Sequence, residues 1–191
     1  MNARELDSLR SRVGRLMAAA QMQSAAGFEQ SHMLGDGSTH TYSVSGLKSP
    51  ELLEDELLSL FIWVWNFKDH LKEAFRARGW KAQDVEDVAN RSIHLQVVSD
   101  IANRAKHGQL RKSRSGNWAE LVDVGWTIPQ SSLSKISFGA FSVGIEVEKS
   151  EDVQLRAIVR LRDGTELDAF SLLEQATSYW EEHAVLRLAA A

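Results

Sequence analysis

Apolar side chains recur at helical spacing in the first 110 residues and predict three helices. The first helix is expected over residues 3–22, where the apolar positions follow a period of three to four. A capping serine, Ser49, followed by Pro50 predicts that a second helix begins at residue 50 and runs to about Gly79. A third helix is expected over about 82–107, so that residues 50–107 form a long antiparallel helical hairpin.

The pattern changes after residue 110, where apolar and polar residues alternate and predict strands. Strands are expected over 121–128, 136–147, 153–162 and 165–169, as one small antiparallel sheet of three or four strands. Asp163-Gly164 is a tight-turn signal between the last two. Ser171 and Glu174 form a capping box that predicts a final helix ending near Leu188.

Together these elements predict an α+β protein that is mainly α-helical and forms a single domain over residues 1–191. The predicted parts are a helical bundle over 1–110, a β-sheet appendage over 111–170, and a C-terminal helix over 171–191 that packs back on the bundle. The stretch 24–49 is rich in Gly, Ser and Thr and is predicted to be a loop.

Three potential metal ligands in that stretch, His32, Asp36 and His40, follow one another at four-residue intervals. On a helix this spacing suits metal ligation. Glycines on both sides of Asp36 argue against a helix, so we predict no metal site and no cofactor.

Composition indicates a folded protein without bulk basic character. Hydrophobic residues make up 43% of the chain, the formal net charge is −4, and there is no cysteine. These values exclude disulfides, thiolate metal sites and binding of nucleic acid by overall charge. No apolar run approaches the roughly 18 residues that a membrane-spanning helix needs, so we expect a cytoplasmic protein with no membrane association.

The predicted third helix carries a stripe of small or uncharged polar residues rather than the charged residues of an ordinary solvated face. The stripe contains Ser92, Gln96, Ser99, Asn103 and Lys106. Asp100 and His107 flank it, and apolar rows run along both sides. We interpret the stripe as a polar seam that faces a groove, a cavity or a second copy of the chain.

A structural interpretation of the helix end is also open. Lys106 and His107 in the last turn would offset the negative end of the helix dipole, and Gly108 would form a left-handed cap. Lys68 lies within the apolar stripe of the second helix, where its ammonium either reaches solvent or points at a buried acid.

Two short sequence motifs resemble those of a known group of proteins. Lys68-Asp69 on one long helix, and Asp100, Asn103, Lys106 and His107 at the end of the next, resemble the HEPN type of mostly uncharacterised bacterial proteins. The resemblance covers roughly residues 50–110. It implies an antiparallel helical bundle that forms a homodimer through its long helices.

The resemblance also implies a choice of functions. Many HEPN domains are metal-independent ribonucleases in which four to six residues separate an arginine from a following histidine, and others are noncatalytic partners in toxin–antitoxin, defence or nucleotidyltransferase systems. This chain departs from the nuclease pattern, because only two residues separate Arg104 from His107. Asp100, Ile101 and Ala102 stand where the arginine is expected.

If the chain cleaves RNA, residue chemistry suggests how. Metal-free cleavage needs a base for the ribose 2′-hydroxyl and a cation for the charge on phosphorus. His107 would be the base, Arg104 or Lys106 the cation, and Asp100 would orient His107. Asn103 would bind the phosphate.

Basic residues after the helix extend this candidate surface. The predicted binding residues are Asn103, Lys106, Lys68, Asp69, Arg111, Lys112 and Arg114. The opposing interpretation is that Glu51, Glu54 and Asp55 pair with Arg104 and Lys106. A row of Arg156, Arg160 and Arg162 on a predicted strand is interpreted as a solvated edge.

We therefore predict a noncatalytic interaction module of the bacterial stress or defence type, which binds RNA or a partner protein through the polar seam. One alternative is a metal-independent endoribonuclease that uses His107 at a dimer interface. The other is a purely structural network of buried polar groups around Asp100, Asn103 and Lys106.

Overall fold

The structure, a computed structural model, describes residues 3–189, with side chains from Glu5 onward, and these residues form two compact units. The first unit contains the chain up to Ala19, Asp55–Asp123, and the chain from Ala157 onward. The second contains Ala20–Glu54 and Val124–Arg156. The second unit therefore combines a stretch that precedes most of the helical hairpin with a stretch that follows it.

The helices are α1 (Ala3–Gln21), α2 (Pro50–Ala77), α3 (Gln83–Arg91), α4 (Ile93–His107), α5 (Ala169–Trp180), a π-helical turn (Glu181–Val185) and α6 (Leu186–Ala189). The strands are β1 (Ser24–Met33), β2 (Thr39–Leu47), β3 (Glu120–Thr127), β4 (Leu133–Phe138), β5 (Ser142–Val147), β6 (Gln154–Arg160) and β7 (Glu166–Asp168). None of the helices within residues 3–189 is long and apolar enough to cross a membrane.

The predicted fold class, a mainly helical HEPN-like bundle with one small antiparallel sheet, is wrong. The described residues contain seven strands in two sheets, and the order of strands is β1-β2-β5-β4 in one sheet and β3-β6-β7 in the other. The four-stranded sheet is mixed, because β2 and β5 are parallel while its other pairs are antiparallel. Residues 136–147, predicted as one strand, belong to two strands of this sheet, β4 and β5, which are separated by residues 139–141.

The largest error lies in residues 24–49, which form a β-hairpin rather than a loop. β1 and β2 pair antiparallel over most of their length, and His32 lies opposite His40. The turn is closed by Asp36, whose carboxylate accepts hydrogen bonds from the Ser38 backbone N–H at 2.9 Å and the Ser38 hydroxyl at 2.7 Å. Many residues of these strands are serine, threonine or glycine, so the sequence shows few apolar positions. The pairing therefore depends on backbone hydrogen bonds and a few core contacts.

The apolar core of the second unit lies at one end of this sheet. Val44, Leu47, Val147 and Val153 are buried there, and Phe28 packs against them. At the start of α2 the Ser49 hydroxyl accepts a hydrogen bond from the Leu52 backbone N–H at 3.0 Å. The predicted serine cap is therefore confirmed.

The predicted helix over 82–107 is interrupted at Ser92. This residue has extended backbone angles (φ −105°, ψ 115°) and ends α3, while its side chain accepts a hydrogen bond from the Leu95 backbone N–H at 3.3 Å and so begins α4. A serine competes well for this capping position because its hydroxyl replaces a missing helical partner. The first member of the predicted polar stripe is thus a buried cap.

Packing in the first unit joins the hairpin helices to α5. The largest fully buried side chains there are Leu57, Leu60, Phe61, Val64, Leu71, Phe75, Leu95, Ile101, Leu173 and Trp180. The Trp180 indole donates a hydrogen bond to the Val64 carbonyl at 3.1 Å, which fixes α5 on α2. α5 begins at Ala169, and its cap is Asp168, which accepts a hydrogen bond from the Ser171 backbone N–H at 2.7 Å. The predicted capping role of Ser171 is wrong because the earlier aspartate takes it.

Candidate anion-binding surface at the end of helix α4

The end of α4 is set by glycine, as the sequence predicts. Gly108 has φ 71° and forms a left-handed cap after His107. Only glycine adopts this conformation at low cost, so the helix stops here and the chain turns into the basic segment 109–116.

Asp100 holds that segment against the helix. Its carboxylate is fully buried and accepts hydrogen bonds from the Ser113 hydroxyl at 2.5 Å, the Ser115 hydroxyl at 2.6 Å and the Arg114 backbone N–H at 2.6 Å. Three donors to one carboxylate compensate the loss of its hydration. Asp100 is therefore the anchor of the loop.

Arg114 and Lys68 meet at a cluster around Glu86, which the sequence analysis did not predict. The Arg114 guanidinium lies 2.6 Å from the Glu86 carboxylate, Lys68 lies 3.2 Å from it, and Lys72 also contacts it. Arg114 and Lys68 both lie over the ring of Trp65, at 4.8 Å and 4.3 Å from its centre. Of the two interpretations of Lys68, the structure shows an ammonium that points at an acid.

The electrostatics of this cluster strongly favour the charged carboxylate. Partial burial raises the pKa of Glu86, but hydrogen bonds from Lys72 and Arg114 and the charge of Lys68 outweigh it and lower the pKa to about 2. The cluster therefore binds α2, α3 and the loop together through charge. Asp69 is exposed and lies 3.9 Å from Lys68, outside the cluster.

Two basic side chains of α4, Lys106 and Arg104, contact polar residues of the first unit. The Lys106 ammonium donates a hydrogen bond to the Asn66 side chain at 2.5 Å. Arg104 lies 3.5 Å from the Glu120 carboxylate, and its Nε atom is buried without a hydrogen-bond partner among the described residues. Asn103 donates a hydrogen bond to the Ser99 hydroxyl at 3.3 Å, within the predicted stripe.

A cleft of about 430 Å³, here called the helix-end cleft, opens where α4 stops. It is lined by Asn103, His107, Gln109, Leu110, Arg111 and Lys112. His107, Arg111 and Lys112 are exposed, and no carboxylate belongs to this lining in the described part of the chain. The cleft therefore combines two cations, one imidazole and two amides in its lining.

A second cleft of about 510 Å³, here called the arginine cleft, is lined by Arg104, Trp118, Glu120, Val122, Arg160, Leu161 and Arg162. Sequence reasoning missed Trp118 and Glu120 and interpreted the strand arginines only as a solvated edge. A signal was present, since Trp118 lies only two positions after the basic segment 109–116.

The three residues predicted to be catalytic do not form one constellation in this chain. Asp100 is buried under the loop, Arg104 lines the arginine cleft and His107 lines the helix-end cleft. No hydrogen bond joins Asp100 to His107 within residues 3–189. Asp100 therefore positions the loop rather than the imidazole.

In the hairpin of the second unit, His32 and His40 each contact an aromatic ring, Tyr42 and Phe141 respectively. Across the residues that the structure describes, no group of three or more His, Asp or Glu side chains is arranged to hold a metal ion.

Comparison of the chain with protein-family models, with curated proteins and with solved structures finds no match.

Proposed function

We propose that this protein is a noncatalytic RNA-binding module and that the helix-end cleft binds phosphate groups of the RNA. The observation that carries the proposal is the lining of this cleft, which combines exposed Arg111, Lys112 and His107 with Asn103 and contains no carboxylate in the described part of the chain.

The chemistry of these side chains suits a phosphodiester. Arg111 offers a planar fork of N–H donors that matches two phosphate oxygens, and Lys112 adds a compact charge. Asn103 and His107 supply further N–H donors from the last turn of α4. The carbonyl end of the helix repels anions, so attraction must come from these side chains rather than from the helix dipole.

Three of the predicted binding residues are cations that already contact other residues of the protein, which reduces the number of cations available to a ligand. Arg114 and Lys68 are engaged by Glu86, and Lys106 is hydrogen-bonded to Asn66. These three predicted binding residues therefore have partners within the protein, and none of them lines the cleft. Arg111 and Lys112 are left as the cations that a ligand would meet at this cleft.

Binding to RNA is tested with charge-neutral variants. We expect a labelled single-stranded RNA of about 12 nucleotides to bind the wild type, and Arg111→Gln/Lys112→Gln to bind at least tenfold more weakly. Because each single-strand phosphate contact contributes about 0.7 to the salt dependence, the slope of log K against log salt should fall by about 1.4. Fluorescence anisotropy at several salt concentrations measures both quantities.

The matched control is Arg76→Gln/Lys81→Gln, which removes two exposed cations from another part of the first unit. This variant changes the net charge equally and should bind RNA as the wild type does. Equal losses in the two double variants would show that only overall charge matters. That result would overturn the proposal.

The ribonuclease alternative rests on exposed His107 beside two cations. We expect no cleavage of the labelled RNA in EDTA by the wild type or by His107→Ala, because Asp100 is engaged by the loop. Cleavage by the wild type and its loss in a folded His107→Ala variant would establish the ribonuclease instead. The homodimer through the long helices and a role in stress or defence stay predictions.

A further inference from the structure

We propose that the arginine cleft is a nucleotide subsite, in which a base stacks on Trp118 and its phosphate binds Arg162 and Arg104. The inference rests on the proposed function for its natural ligand, single-stranded RNA. It depends on different residues from the helix-end cleft, and it can be tested with a free nucleotide.

The first observation is the backbone of Trp118. It has φ 51°, the only positive φ of a non-glycine residue in the described part of the chain. A bulky residue adopts this left-handed conformation only when its surroundings enforce it. Trp118 is 37% exposed, so this strained residue stays accessible at the surface.

The second observation is how firmly that backbone is held. The Trp118 backbone N–H donates to the Ser113 hydroxyl at 3.1 Å, and Ser113 in turn donates to buried Asp100. The Asn117 carbonyl accepts a hydrogen bond from the Arg162 backbone N–H at 2.7 Å. Trp118 and Arg162 therefore belong to one rigid arrangement, and the indole is presented by a preorganised loop.

The third observation is uncompensated positive charge. Arg160 is paired with Glu166 at 2.8 Å, whereas Arg162 has no carboxylate within ion-pair distance in the described part of the chain. Arg104 has only a long contact to Glu120, at 3.5 Å, and a buried Nε without a hydrogen-bond partner among the described residues. Arg162 thus offers an exposed guanidinium without a carboxylate partner, and Arg104 adds a second positive charge that Glu120 compensates only at long distance.

The combination of exposed Trp118 with these guanidinium groups favours a ligand that is both planar and anionic. A nucleotide provides a base for stacking and a phosphate for the arginines. Glu120 repels phosphate but accepts hydrogen bonds, so it suits a ribose hydroxyl or an exocyclic amino group. The volume of about 510 Å³ lies within the range of small-ligand sites.

The test measures binding of 5′-AMP and of inorganic phosphate by isothermal titration calorimetry. We expect the wild type to bind AMP more tightly than phosphate, and Trp118→Leu to weaken AMP binding by about tenfold while leaving phosphate binding unchanged. Trp118→Phe should retain AMP binding within about threefold, because a stacking ring remains. Arg162→Gln should weaken both ligands about tenfold.

Two exposed residues of the same kinds serve as controls. Phe138→Leu removes an exposed aromatic ring of the second unit, and Arg76→Gln removes an exposed cation of the first; neither should change AMP binding. If Trp118→Leu does not fold, Arg162→Gln and Trp118→Phe carry the test. Equal binding of AMP and phosphate, no AMP binding at millimolar concentration, or loss of binding in the controls would overturn the inference.

The two proposals fail in different ways. If Arg111→Gln/Lys112→Gln loses RNA affinity but the wild type does not bind AMP, the helix-end cleft stands and the nucleotide subsite falls. If AMP binds through Trp118 but RNA affinity is insensitive to Arg111 and Lys112, the subsite stands and the proposed phosphate site is wrong.

Discussion

The buried carboxylate of Asp100 accepts a hydrogen bond from the backbone N–H of Arg114 at 2.6 Å. This contact joins α4 to a loop whose side chains contact two other parts of the protein. The Arg114 guanidinium reaches Glu86, and Ser113, bonded to the same carboxylate, holds the backbone of Trp118. One acid thus positions both the ionic cluster and the ring of the arginine cleft.

Replacement of Asp100 should therefore destabilise the protein and weaken AMP binding at the proposed nucleotide subsite. Asp100→Asn removes the charge and places an NH₂ group among donors, which we expect to lower the free energy of unfolding by about 3 kcal/mol. Urea unfolding followed by circular dichroism measures this loss. Asp69→Asn is the control, because that exposed side chain lies outside the network and should change stability by less than about 0.5 kcal/mol. Similar unfolding midpoints for the two variants would contradict the anchoring role.

Glu86 should make stability depend on pH in the acid range. Its pKa falls from 4.5 in the unfolded chain to about 2 in the fold, so its contribution is fully present above about pH 5 and is lost as the pH falls toward 2. We estimate that contribution at about 2 kcal/mol, allowing for the water that reaches this cluster. Glu86→Gln cannot titrate, so the stability difference from wild type should be largest near neutral pH and shrink toward pH 2.

Urea unfolding at pH 7, 5, 4 and 3 measures that difference directly. Glu73→Gln, an exposed position of α2, is the matched control and should follow the wild-type pH profile. If the difference between Glu86→Gln and wild type is the same at every pH, the ionic cluster does not stabilise the fold by charge.

The helical part of the fold could be read from the sequence because its apolar periodicity is strong. Ser49 and Pro50 predict the start of α2, and Gly108 predicts the end of α4, because these signals depend only on neighbouring residues. The break at Ser92 was missed, since the apolar pattern continues through it and a serine cap resembles an ordinary helical serine.

The β-hairpin was missed for a different reason. Residues Thr39, Thr41, Ser43 and Ser45 alternate with His40, Tyr42 and Val44, a period of two that marks a strand, and Asp36-Gly37 marks its turn. Few of these side chains are strongly apolar, so composition favoured a loop. An alternation of hydroxyl and bulky residues was the signal that could have found it.

The candidate site was only partly predictable. Short-range features placed His107, Arg111 and Lys112 at the end of a helix, where the structure has them. The partner of Lys68 and Arg114 is Glu86, which comes from a different helix, and the arginine cleft joins Arg104 to Trp118 and Arg162. Contacts between residues so distant in the sequence depend on the tertiary structure, which the local sequence pattern does not specify.

Gly27 provides a direct test of the hairpin. It has φ 117° at an irregularity in the β1–β2 pairing, and a Cβ atom there would lie 2.4 Å from the Val44 carbonyl oxygen and 2.8 Å from the Cα of Ser45. Both are backbone atoms of the neighbouring strand, so Gly27→Ala must separate the strands and adopt a strained φ. We expect it to lower the free energy of unfolding by about 3 kcal/mol.

Gly35→Ala, in the same hairpin, is the matched control, because a Cβ there meets no atom within 4 Å and its φ is not positive. That variant should unfold within about 0.5 kcal/mol of the wild type in urea. If residues 24–49 formed a flexible loop, both substitutions would be tolerated alike, since neither glycine would face a neighbouring strand. A large difference between the two alanine variants therefore reports the strand pairing itself, independently of any ligand.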